Sequence, residues 1–136
     1  MFLFINTISD KIILYLLEQN KIVDKLIKTA RYRQAELLLP MIDRFLKKNK
    51  IKLAQIKGIL VAKGPGSFTG TRIGVSTANA LAFSLNVPII GVNQQLTQLN
   101  LNKIIKATNK FKKINRFISV KPVYSSLPAI TKQKKK

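Results

Sequence analysis

The chain has no cysteine and no histidine, and only Asp10, Glu18, Asp24, Glu36 and Asp43 among its 136 residues are acidic. Without cysteine there is neither a disulfide framework nor a thiolate metal site. Without histidine there is no imidazole ligand for zinc, no imidazole general base and no Ser-His-Asp triad. Five carboxylates leave little of the usual acid–base equipment of an enzyme. Long apolar runs are missing as well: none approaches the roughly 18 residues that a membrane-spanning helix needs. The start, Met1-Phe2-Leu3-Phe4-Ile5, is short for a signal-peptide core and carries no basic residue. The expectation is a cytoplasmic protein with no membrane contact and no metal or cofactor of its own.

What is present is enough apolar content, 46%, to build one domain of this length. The net charge is +20, which invites a polyanionic partner. Residues 1–99 hold 14 basic and 5 acidic side chains, whereas residues 100–136 hold 11 basic and none acidic. Lys, Ile and Asn together make up 48 of the 136 residues. All three have A/T-rich codons, so coding bias and phosphate contact are competing sources of the lysines.

Periodicity divides the chain into alternating elements. Residues 2–6, 11–17 and 21–28 read as three strands, with turns at Ser9-Asp10 and Gln19-Asn20, and so as an antiparallel meander. Residues 34–48 change to a helical period, with Leu38, Met41, Ile42 and Phe45 on one face. Leu37, Leu39 and Leu46 lie off that stripe, and this surplus suggests a second covered face. Pro40 either kinks this helix or, if the helix starts near Leu39, sits in its first turn. A short turn over 53–57 precedes a strand at 58–62. A helix follows over 70–86, a strand over 89–92 and a third helix over 94–107. The resulting order is βββαβαβα in a mixed sheet, with residues 1–108 forming one lobe and 109–136 a basic, weakly structured tail.

The most informative stretch is Gly64-Pro65-Gly66-Ser67-Phe68-Thr69-Gly70-Thr71-Arg72-Ile73-Gly74. It joins a strand to a helix whose N-terminus Ser67 or Thr69 can cap. Such a helix start suits an anion or a closely approaching backbone. No Gly-Lys-Ser/Thr follows, so this is not a Walker loop. Within the helix Gly70, Gly74, Ala78 and Ala82 recur every fourth residue. That ridge allows another backbone to approach, either the chain's own sheet or a helix of another subunit.

This stretch resembles the signature of the TsaB (YeaZ) family. The likeness continues through Ala78–Phe83 and Val87–Val92, and it includes Leu38-Leu39-Pro40-Met41-Ile42. The resemblance implies the N-terminal lobe of an actin-like ATPase, built on an RNase H-like core. It implies an accessory subunit whose two main helices pack against the paralogue TsaD. TsaD carries the catalytic metal and transfers a threonylcarbamoyl group, from an adenylate made by TsaC, to adenosine 37 of ANN-reading tRNAs. The ATPase TsaE binds the pair. The interface expected on this chain is Leu38, Met41, Ile42, Phe45, Gly74, Ala78 and Ala82. The loop Gly64–Gly70 with Arg72 is a contact for the partner or for ATP or ADP at the subunit junction. In the absence of TsaD an exposed apolar helix face also suits a homodimer.

Three departures bear on that reading. Asn6-Thr7 replaces the family's usual Asp-Thr, which weakens any case for Mg²⁺-nucleotide chemistry. Gln34-Ala35 replaces a frequent His-Ser. The chain is too short for a second actin-like lobe, and Lys121-Pro122-Val123-Tyr124-Ser125 resembles a segment near the C-terminus of longer members, as if the middle had been lost. Two other functions compete with a non-catalytic scaffold. One is tRNA contact by the tail, through Lys103, Lys106, Lys110, Lys112, Lys113, Arg116 and Lys121, with Phe111 or Tyr124 stacking on a base. The other is a peptidase using Ser67 or Thr69, which would lack any histidine to activate it.

Overall fold

Three consecutive strands open the chain: β1 (Phe2–Asn6), β2 (Lys11–Glu18) and β3 (Lys21–Thr29). The computed structural model describes residues 1–93, 101–114 and 116–123. β1 and β2 pair antiparallel, as do β2 and β3. Gln19 and Asn20 turn the second hairpin with φ of 51° and 62°, the two left-handed residues that a two-residue hairpin turn of matching twist requires. β2 carries Ile12 through Leu17 buried on both faces, while β3 is half-buried at alternate positions and exposes Lys21, Lys25 and Lys28. Lysines along an edge strand discourage pairing with another sheet.

Helix α1 (Gln34–Lys48) leads through a 3-10 turn (Leu53–Gln55) into β4 (Gly58–Gly64). Helix α2 (Phe68–Leu85), β5 (Ile89–Asn93), α3 (Leu101–Ala107) and a second 3-10 turn (Thr108–Lys112) follow. The sheet order is β3-β2-β1-β4-β5, with β1, β4 and β5 parallel. This is the α/β lobe with a mixed sheet that the element order implied. Pro40 lies inside α1, which starts at Gln34, so the later start is excluded. α2 starts two residues earlier than expected, because Ser67 rather than Thr69 is its cap. Asn86 ends it in the left-handed conformation, with Val87 N–H donating to Ala82 O at 3.0 Å. Residues 94–100 of the expected third helix, including Leu96 and Leu99, lie outside the described residues, as does Tyr124.

The sheet is covered on both faces. One face packs Leu3, Ile5, Leu14, Ile59 and Val61 against Leu38, Met41, Ile42 and Phe45 of α1 and Val75, Ala78 and Ala82 of α2. The other packs Phe4, Tyr15, Leu60, Ala62 and Val92 against Ile104 and Ala107. Two buried faces explain why β1, β2 and β4 read as continuous apolar runs rather than alternating ones. The chain beyond α3 is also docked up to residue 123. Phe111 stacks on Phe2 with centroids 4.5 Å apart, and Phe117 meets Phe83 edge-on at 5.6 Å. The Asn79 side chain accepts from Val120 N–H at 2.9 Å and donates to Val120 O at 2.8 Å. A boundary after residue 108 would cut the second 3-10 turn at its first residue.

Candidate functional site

The C-terminal ends of β1 and β4 and the start of α2 meet at one end of the sheet. β4 runs through Gly64, whose φ of 104° is open to glycine at little cost. A side chain there would also collide with the Val123 carbonyl. A cis Gly64–Pro65 bond and Gly66 then bring the chain to Ser67. The Ser67 hydroxyl accepts from Gly70 N–H at 3.1 Å, and Ser67 O accepts from Thr71 N–H at 3.1 Å. Opposite, the Thr7 hydroxyl donates to Gly70 O at 2.6 Å. The Asn6 side-chain oxygen accepts from Ile8 N–H at 3.0 Å, and Gln34 Nε2 donates to Ser9 O at 2.6 Å. The Thr71 hydroxyl is fully buried and has no hydrogen-bond partner.

The small-residue ridge has a local cause. A side chain on Gly74 would strike the Thr7 hydroxyl, and one on Gly70 would strike Thr7 O. The ridge therefore brings α2 onto the end of β1. This corrects the expected interface. Leu38, Met41, Ile42, Phe45, Gly74, Ala78 and Ala82 are all buried within this chain, against its own sheet. Apart from an edge of Ile42, they leave no surface to present. Of the residues off the first stripe, Leu46 is buried, Leu37 is half-buried and Leu39 is 54% exposed.

What the two helices do expose is a different set. Leu39, Leu53 and Leu81 line a groove of about 410 Å³ together with edges of Ile42, Leu46 and Ile51. Asp43 and Lys47, paired at 3.0 Å, stand at its rim. Towards its N-terminus α2 exposes Phe68, Thr69 and Arg72, with the Arg72 guanidinium 5.9 Å from the Phe68 ring centre. Arg72 is the only charged residue of the 18 in α2. A helix lying on a lobe's surface ordinarily carries a charged outer face. A second hollow, about 760 Å³, is lined by Ser9, Asp10, Arg31, Gln34, Ser67, Thr69 and Gly70 among others. Asp10 there pairs with Arg31 at 3.4 Å.

The basic residues of the tail are not one patch. Lys110 lines a pocket with Lys63, Lys103 and Lys106. Lys112 lies in a separate hollow beside Phe2, Asn20 and Phe111, while Lys113 and Arg116 are exposed elsewhere. Phe111, proposed to stack on a base, is occupied by Phe2. Lys63 was absent from the expected set because it is 40 residues from Lys103 in sequence, and only the pairing of β4 with β5 brings them together.

A parallel-edged α/β lobe with a glycine turn leading into a capped, nearly uncharged helix defines a narrow class, and comparisons place the chain in it. The protein family described as "TsaD: tRNA N6-adenosine threonylcarbamoyltransferase" matches residues 28–111. A protein of Buchnera aphidicola subsp. Baizongia pistaciae, "tRNA threonylcarbamoyladenosine biosynthesis protein TsaB", is 44% identical over 61 residues, 45% of this chain and 28% of that one. A "tRNA N6-adenosine threonylcarbamoyltransferase" of Protochlamydia amoebophila is 46% identical over 61 residues, 45% of this chain and 18% of that one. The solved structure "YeaZ from Pseudomonas aeruginosa" superposes with a TM-score of 0.64 at 28% identity, covering 68% of this chain and 43% of that one. The chain thus spans less than half the length of these relatives. It belongs to the TsaB (YeaZ) family, within the wider group that the TsaD description covers.

Proposed function

We propose that this chain is a non-catalytic scaffold subunit that binds TsaD and supports threonylcarbamoylation of adenosine 37 in ANN-reading tRNAs. The observation that carries the reading is the outer face of α1 and α2. It combines the groove around Leu39, Leu53 and Leu81 with a helix that bears one charge in 18 residues. Charged residues are depleted at the centre of protein interfaces, and apolar anchors in grooves dominate their energetics. The relatives named TsaB supply the pathway. The contact surface is thus the outside of the helices, not the buried stripe.

The absence of catalysis is part of the proposal. The Ser67 hydroxyl is engaged as the α2 cap, and the sequence has no histidine to activate it. ATP or ADP would sit at the subunit junction, in the hollow beside Ser67, Thr69 and Gly70. Asn6 offers no carboxylate for Mg²⁺ there, and its oxygen already caps the turn at Ile8. TsaE would bind the assembled pair, and without TsaD two copies of this chain would meet through the same groove.

The test is co-expression with the cognate TsaD followed by size exclusion at low salt. Co-elution is expected. The double variant Leu39→Asp/Leu53→Asp, at two exposed positions of the groove, should weaken it by at least about 30-fold, the scale of a lost hot spot, with a melting temperature close to that of wild type. Separate elution of the two wild-type proteins would overturn the proposal.

A further inference from the structure

The second face of the sheet ends in a basic pocket that the scaffold role does not use. Lys63, Lys103, Lys106 and Lys110 line a depression of about 480 Å³ with Gly91, Val92, Asn93, Asn102 and Ala107. Among the described residues, no acidic or aromatic side chain lines it. The pocket opens beyond the C-terminal ends of β4 and β5, the edge where open α/β sheets take their ligands. The lysines are positioned rather than scattered. A side chain on Gly91 would come within 2.7 Å of both Lys63 Cδ and Val120 Cγ1, so that glycine makes room for the lysine stem and for the C-terminal segment beside it. The Lys103 ammonium donates to Asn93 O. Lys103, Lys106 and Lys110 follow one another at helical spacing along α3 and the 3-10 turn, a rise of about 10 Å. All five acids lie within the first 43 residues, so the cations that follow meet no carboxylate from their own part of the sequence.

We infer that this pocket binds successive phosphates of an RNA backbone. Several cations spread along a helical face suit a chain of phosphates better than one isolated anion. Four ammonium groups match phosphate oxygens rather than base edges, so the contact inferred is to the backbone, which carries no sequence information. A concave pocket also suits a strand better than the flat surface of an anionic membrane. The choice of RNA rests on the proposed role in tRNA modification. Binding by the isolated chain is nonetheless a property separate from TsaD assembly.

The experiment uses the full chain alone, with a labelled 12-nucleotide oligouridine and an unmodified tRNA as probes. The quadruple variant Lys63→Gln/Lys103→Gln/Lys106→Gln/Lys110→Gln is compared with Lys11→Gln/Lys21→Gln/Lys25→Gln/Lys28→Gln on β2 and β3, towards the opposite edge of the sheet. Both remove the same charge. The pocket variant should lose at least tenfold in affinity, and its salt slope should fall by about 2–3, from about 0.7 per phosphate contact on single strands. The edge variant should lose no more than about twofold by the same reasoning. Lys106→Glu/Lys110→Glu, which leaves the Lys103–Asn93 contact in place, should weaken binding as well. Equal losses in the two quadruple variants would show diffuse attraction and overturn the inference. So would displacement of the RNA by inorganic phosphate at sub-millimolar concentration, which would mark a site for a free anion. Co-elution with TsaD reads the scaffold proposal independently of either result.

Discussion

The two faces of the sheet are covered in different ways. The α1/α2 face buries a large apolar cluster and brings a helix close through small residues. It also carries ion pairs, Asp43–Lys47 on α1, Glu36–Arg33 at its start and Asp24–Lys48 tying β3 to it. The α3 face is held by Ile104, Ala107 and the Phe2–Phe111 stack, and lysines rim it. One lobe thus presents on one side an apolar groove beside α2, a helix with a single charge, and on the other a pocket lined by four lysines. The difference teaches that the net charge of +20 is not a property of the whole surface. A protein partner and a phosphate chain can be accommodated on opposite sides without competing.

Breaking the first face should have the largest effect. Gly74→Leu drives a side chain into Thr7 and separates α2 from β1. A loss beyond about 3 kcal/mol is expected, the upper end for overpacking a buried site. The measurement is urea denaturation, or the soluble fraction where the variant does not fold. A folded Gly74→Leu that fails only to bind TsaD would restore the ridge as an interface. Ile104→Ala tests the second face. Removing the central anchor of α3 should cost about 2–3 kcal/mol, read in the same denaturation, and should reduce RNA affinity by loosening the helix that carries Lys103 and Lys106. An unchanged affinity would detach the pocket from the packing beneath it.

Two smaller changes probe the joints between the faces. Asn79→Ala removes both hydrogen bonds to Val120, the link that straps the C-terminal segment across α2. About 1–2 kcal/mol should be lost, with faster amide exchange at Val120 while the sheet amides stay protected. Ser67→Ala removes the α2 cap and should cost about 1 kcal/mol, seen as a lower melting temperature. A variant that melted as wild type would deny the hydroxyl its structural role and return it to the list of free nucleophiles.

Most of the fold was legible because the period changes where the structure does. The meander, α1, β4 and β5 follow from short apolar runs, turn residues and one helical stripe. The interface was not legible in the same way. The spacing of Leu38, Met41, Ile42 and Phe45 identifies which face of α1 is buried, but spacing says nothing about what buries it. Here the chain's own sheet does, and only tertiary packing leaves Leu39 outside while taking in Leu46. The ridge from Gly70 to Ala82 was equally silent about its partner until Thr7 was placed against it. Three of the four pocket lysines, Lys103, Lys106 and Lys110, were legible in the basic tail, but Lys63 was not, since it reaches them through the β4–β5 pairing. The docking of Phe111, Phe117 and Val120 was hidden for a related reason: each meets elements distant in sequence and leaves no periodic trace.

The smallest effect expected is one of pH, and it belongs to the α1/α2 face. The Asn49 side chain donates to Asp24 at 3.0 Å and the Lys25 amide donates at 2.8 Å, with the Lys48 ammonium at 3.4 Å. The hydrogen bond from Asn49 is the main cause that holds the Asp24 carboxyl below its ordinary value, with the Lys25 amide next. A carboxyl whose folded value is depressed stabilises the fold fully above its unfolded value, and that stabilisation is lost as pH falls through the folded one. At neutral pH Asp24→Asn should therefore lower the melting temperature by about 1–3 °C, the scale of a surface ion pair. The gap between variant and wild type should hold down to the ordinary carboxylate range and close below it, as Asp24 itself becomes protonated. Because the pair joins β3 to α1, the titration should leave RNA affinity unchanged. A parallel loss of RNA binding in Asp24→Asn at neutral pH would mean that the two faces communicate through the sheet and are not independent surfaces.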